Sequence, residues 1–215
     1  MDINKAIKEY DIFIRQAEMD LSLIRLRGTQ LIAEMIVTDS DKIYGTDLFF
    51  CGIVDKSSFL IDGIINAVKE KNLIILGILL RAQIDNCLRA FALTLVDDPH
   101  DLALKVLAGE SIRKIADKDG KKMTDSYLTE KLSAIDNKIK SMYKTACGYV
   151  HFSEKGILHT LHTKGFPSIE ITVGKTRNED INIITEGYYA FLHFTNLLYE
   201  KQLGGWIITK SQVAR

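Results

Sequence analysis

The sequence predicts an all-α fold: a single-domain helical bundle over residues 1–215, with one β-hairpin inserted before the last long helix. Three observations carry that expectation. Only two prolines, Pro99 and Pro167, interrupt the 215 residues, so long helices are unhindered. Apolar residues recur at helical spacing along most of the chain. Past Gly156 the rhythm switches to alternation, and then helical spacing returns.

The first helix spans about 3–35, with Ile7, Tyr10, Ile14, Ala17, Leu21, Ile24 and Leu31 along one stripe. "VTDSDKIYGTDLF" breaks the pattern with Asp, Ser and Gly and is a loop. A second helix runs over 47–71, with Thr46 or Asp47 as its cap and cations in its last turn. The third, 73–96, is the most apolar and is placed centrally. Pro99 opens a short helix, since proline suits a first turn. A polar connector, "RKIADKDGKKM", leads to a helix over 124–152 capped by Thr124. "ILHTLHT" and "SIEITVG" flank "KGFP" and predict the hairpin at 157–173. A final helix follows with Asn178 as candidate cap. The tail "GGWIITKSQVAR" carries no clear signal.

Composition narrows function. With 47 % apolar and 26 % charged residues the chain is globular, not disordered. Lysine plus arginine equals aspartate plus glutamate, so a nucleic-acid partner must meet a local basic patch. Cys51, Cys87 and Cys147 are odd in number and far apart, which fits reduced core cysteines in a cytoplasmic protein. The N-terminus lacks the pattern of a secretory signal, and the apolar run after Asn72 meets Arg81, Asp85 and Arg89 before it could span a bilayer. No membrane partner is expected.

Arg81, Asp85 and Arg89 stand four apart, hence on one stripe of the third helix. They read either as ion pairs at the edge of the core or as the lining of a cleft that binds substrate. Metal chemistry has no support. His159 and His162, three apart in a strand, face opposite sides, and no HExxH or CxxC occurs. No glycine-rich phosphate loop or nucleophile elbow is present, and no cofactor is implied.

"SMYKTACGYVHFSEKG" holds the remaining candidates. Lys144 and His151 are seven apart, within about 20° around a helix. Gly148 lies between them, where a backbone or ligand can approach closely. Tyr143 and Tyr149 flank the stripe and suit base stacking or plain packing. A cation and a histidine can serve phosphodiester cleavage, one steadying phosphate charge and the other moving a proton. A histidine at a helix end also suits a C-terminal cap.

The run from Tyr143 through Gly148 to "YVHFS", together with "LLRAQIDNCLRA" on the central helix, resembles the HEPN superfamily over about 47–200. More narrowly, it is similar to the uncharacterised prokaryotic branch with a "YVHFS"-type helix end. That resemblance implies a metal-independent ribonuclease of toxin or antiviral-defence type. It also implies a homodimer whose two Arg-x(4–6)-His motifs form one site, with RNA as substrate and a cognate antitoxin or defence partner. The family histidine falls on His151. The family arginine would fall at 144–146, where Lys144 is the cation present, and Arg81 is a second source of a guanidinium. Lysine lacks the planar fork of arginine. The alternative is a catalytically inactive helical module that dimerises or binds a partner or nucleotide.

Overall fold

The computed structural model describes residues 3–40, 42–151, 161–163, 169–171 and 180–213. Helix α1 (Ile3–Val37) packs on α2 (Gly45–Lys69), and α3 (Leu73–Ala92) returns against α2. The chain continues through α4 (Pro99–Leu107), α5 (Asp125–Ser133), α6 (Lys138–Val150) and α7 (Asp180–Asn196). A π-helical run, Leu197–Leu203, joins α7 to α8 (Gly204–Val213). Among the described residues the bundle is helical, and no helix is long and apolar enough to cross a membrane.

Helix α3 is the central element, as its apolar run predicts. Leu76, Ile84, Cys87 and Leu88 are buried, and α2, α5, α6 and α7 pack around it. Asn72 caps it by accepting the Ile75 N–H at 3.0 Å. A buried amide chain locks α3 to its neighbours. The Gln83 amide donates to Ser57 Oγ on α2 at 2.7 Å and to Thr195 Oγ1 on α7 at 3.0 Å. Asn86 donates to Gln83 in turn. The buried Gln83 and Asn86 side chains thereby keep partners.

Several elements differ from the sequence expectation. The predicted 124–152 helix is two helices. Thr124 caps the first as expected, accepting the Tyr127 N–H, but the helix stops at Ser133. Asp136 and Asn137 sit in the break, and the Asp136 carboxylate accepts the Lys138 N–H at 3.0 Å to start α6. Such side chains compete with the helical backbone and favour a new start. The third helix ends at Ala92, before a 3-10 turn at Leu93–Leu95. The tail without a signal is helical over Gly204–Val213. Most of the hairpin expected over 157–173 lies outside the described residues. Of that stretch Leu161–Thr163 and Ile169–Ile171 are described, paired antiparallel. Asn178 also lies outside the described residues.

The start of α2 departs most. Neither Thr46 nor Asp47 is the cap. Tyr44 is, and Asp47, at the third helical position, accepts the Tyr44 N–H at 2.8 Å. The same carboxylate accepts the Trp206 Nε1–H at 2.6 Å and pairs with Lys210 Nζ at 2.9 Å. Lys210 also donates to the Met35 carbonyl at 2.8 Å. Both charged side chains are about 1 % exposed or less. The pair therefore bolts the end of α1, the start of α2 and the middle of α8 together.

Removing one partner of such a pair strands the other charge. Lys210→Met is expected to cost about 3–5 kcal/mol of unfolding free energy. Lys210→Met combined with Asp47→Asn should cost clearly less than the two single changes summed. Urea titrations followed by circular dichroism check both.

Candidate functional site

The α3 stripe is where the charged side chains converge. Asp85 pairs with Arg89 at 2.9 Å and with Arg81 at 3.7 Å, as the four-residue spacing predicts. Two residues from elsewhere complete the cluster. Asp125 opens α5 directly after its cap, where the helix dipole favours a carboxylate. Arg113 comes from a 3-10 turn, Ile112–Lys114. Arg89 reaches Asp125 Oδ1 at 2.6 Å, Arg81 reaches Oδ2 at 3.5 Å, and Arg113 grips both carboxylate oxygens. Three guanidinium groups thus face two carboxylates, leaving one positive charge in excess. One nitrogen of Arg89, Nη1, is buried without a hydrogen-bond partner.

Helix α6 docks on this cluster through Arg81. The guanidinium donates from Nε to Cys147 Sγ at 3.3 Å and from Nη2 to the Tyr143 hydroxyl at 3.1 Å. It also lies 4.5 Å from the centre of the Tyr143 ring, a cation–π contact. Asp125 is only 12 % exposed. Burial works to raise its carboxyl, but hydrogen bonds from Arg113 and Arg89 prevail and hold it below the usual range. The Tyr143 hydroxyl is pushed up by burial, against the opposing charge of Arg81.

The other predicted residues fall into two groups. Lys144 is exposed, and His151 is exposed at the C-cap of α6, its N–H donating to the Cys147 carbonyl at 3.1 Å. Gly148 lies between them, half-buried. Among the described residues no hydrogen bond or ion pair joins Lys144 or His151 to Arg81, Asp85 or Arg89. Arg81 engages α6 one turn before His151. Tyr149 turns the other way. Its ring lies so close to α3 that a Cβ on Gly77 would stand 2.4 Å from Tyr149 Cγ. The glycine on α3 is what admits the aromatic ring.

Sequence reasoning missed Asp125 and Arg113. The signal for Asp125 was its place just after a threonine cap; nothing local marked Arg113 as its partner. Among the described residues no group of three or more His, Cys, Asp or Glu side chains forms a metal site. Comparison with known proteins finds no match, whether with a family model, a curated protein or a solved structure.

Two measurements probe this geometry. Asp125→Asn is expected to cost about 3 kcal/mol at neutral pH, at the low end for a broken buried pair. Because the native carboxyl is depressed, its contribution is full above the ordinary aspartate value near 3.9 and fades as pH falls through the lower native value. The gap between parent and variant should narrow in that acid window in denaturant titrations. Gly77→Ala should destabilise by about 1–3 kcal/mol in thermal melts, because overpacking against Tyr149 outweighs the helix-propensity gain.

Proposed function

We propose that this chain is a HEPN-like, metal-independent endoribonuclease of toxin or antiviral-defence type, acting as a homodimer across the α6 face. The observation that carries the reading is the joint exposure of Lys144 and His151 on one side of α6, beside a cluster with one arginine charge in excess. His151 accepts the proton of an RNA 2′-hydroxyl as that oxygen attacks phosphorus. The bond to the 5′-oxygen breaks, and that oxygen takes up a proton from the second copy's histidine. A cyclic phosphate and a 5′-hydroxyl result. Lys144 and the half-exposed Arg113 steady the phosphate charge. Arg81, held by Cys147 and Tyr143, positions α6 instead of touching substrate. A cognate antitoxin or defence partner would cover the same face.

The second reading, a catalytically silent dimerisation or nucleotide-binding module, is favoured by the state of the arginines. Arg81, Arg89 and Arg113 all spend hydrogen bonds on Asp125.

A cleavage assay on mixed RNA with EDTA present separates the two. His151→Ala is expected to lose about 10² to 10⁴ in rate. Lys144→Met should lose activity while melting like the parent, and Lys144→Arg should keep or raise it. DNA should be spared. Equal residual cleavage by all four proteins would make the binding module the correct reading.

A further inference from the structure

Helix α1 carries two apolar stripes, and the bundle covers one of them. Tyr10, Ala17, Leu21, Ile24, Leu31 and Met35 are buried, where α1 packs on α2, α7 and α8. On the roughly opposite side of the same helix, Ile12, Met19, Leu23, Leu26 and Val37 are 55–67 % exposed. At 100° per residue the centres of the two stripes lie about 150° apart. The outer stripe has a strict period. Gln16, Gln30 and Ala33, also exposed, fill its gaps, and the positions from 12 to 37 then follow one another in alternate steps of four and three. That is the heptad of a coiled-coil seam, with Gln16, Leu23, Gln30 and Val37 at a, and Ile12, Met19, Leu26 and Ala33 at d. A two-in-seven stripe is the narrow pattern that fits one partner helix, whereas a helix lying on a globular core shows a wider face. The seam is about 37 Å long at 1.5 Å per residue.

We propose that this face pairs with the same face of a second copy, as a parallel, in-register coiled coil of two α1 helices. Two observations identify the occupant and its direction. The first is the place of the amides. Both glutamines are at a, and every d position is apolar. In a parallel pair a faces a, so Gln16 meets Gln16 of the second copy and Gln30 meets Gln30, and each amide donates to its counterpart. Gln16 spends one N–H on Asp20 at 2.8 Å and keeps the other N–H and its oxygen for this contact. In an antiparallel pair a faces d, and both amides would be buried against hydrocarbon without a partner. The second observation is charge. In the same parallel register Arg15, at g, faces Asp20 of the second copy, at e. The next two g–e pairs, Ser22 with Arg27 and Thr29 with Glu34, set no like charges together. Helix α6 packs on α3 and α5 instead, so this pairing does not rest on the ribonuclease reading or on its dimer face.

Sedimentation equilibrium at micromolar concentration tests the pairing. The parent is expected at twice its 24.3 kDa chain mass or a higher even multiple. Leu23→Glu combined with Leu26→Glu sets four carboxylates in the middle of the seam. It should weaken the association at least about a hundredfold and halve the mass, while the helical spectrum stays that of the parent because both side chains are exposed. Ile12→Cys reads the direction. In a parallel pair the two introduced thiols are neighbours at d, and diamide should lock the chains into a covalent dimer beyond any that the parent forms through Cys51, Cys87 or Cys147. An antiparallel pair would part the two thiols by most of the seam. A parent that sediments as a monomer would overturn the proposal. So would an unchanged mass in the folded double-glutamate variant, since that assembly would belong to another face. Cross-linking of Ile12→Cys no greater than that of the parent would overturn the parallel pairing.

Discussion

The bundle depends on a charge pair that no solvent reaches. Asp47 and Lys210 lie 163 positions apart, and each side chain is about 1 % exposed or less. A buried pair of this kind contributes little net stability compared with an apolar replacement. Its effect is on arrangement. Asp47 spends its oxygens on the Tyr44 N–H, Trp206 and Lys210, and Lys210 reaches back to the Met35 carbonyl. A shift of α8 by one residue would leave a carboxylate and an ammonium stranded in the core. The pair therefore sets the register of the last helix against the first two. That register places Trp206 in the wall of a large apolar cleft and Gln202 over the Cys87 carbonyl.

The parts of this arrangement that were legible in the sequence are those with local causes. The central place of α3 follows from a charge-free apolar run, and the Arg81–Asp85–Arg89 pairs follow from four-residue spacing. Thr124 and Pro99 mark helix starts because capping chemistry acts within one turn. What the sequence hid has non-local causes. Asp47 looks like an ordinary helix-start acid, and Lys210 sits in a tail with no readable period. Only their meeting across 163 positions makes either one special. The break at Asp136 and Asn137 was visible as two helix-competing residues, yet the apolar rhythm ran through it and masked it. In the site, Lys144, Gly148 and His151 were legible as a stripe. The turn of Tyr149 toward Gly77 was not, because it depends on how closely α3 approaches.

The arginine cluster shows why the same stripe supports either reading. A lysine at position 81 or 89 would bring one compact charge to one oxygen. Guanidinium groups have planar, multiple donors, so Arg81 binds a sulfur, a hydroxyl, a carboxylate and a ring face at once. That capacity lets one side chain join α3, α5 and α6. It also consumes the donors that would grip a phosphate. Arg113, Lys144 and His151, by contrast, retain exposure. Among the described residues Arg89 Nη1 is the buried nitrogen of the cluster that has no hydrogen-bond partner.

Helix α3 thus serves different surroundings with different faces. Arg81, Asp85 and Arg89 face α5 and α6. Gln83 and Asn86 form the amide chain toward α2 and α7. Ala90 and Phe91 line the large cleft. The amide chain has a consequence for the other two faces. Buried amides bonded to two neighbouring helices resist rotation and slippage of α3, because a small turn would break bonds that no water replaces. The arginine stripe and the cleft wall are therefore held at fixed angles to each other by a network that belongs to neither. Phe91 in the cleft wall and Arg81, the contact that seats α6, thus stand on one helix whose rotation Gln83 and its partners resist.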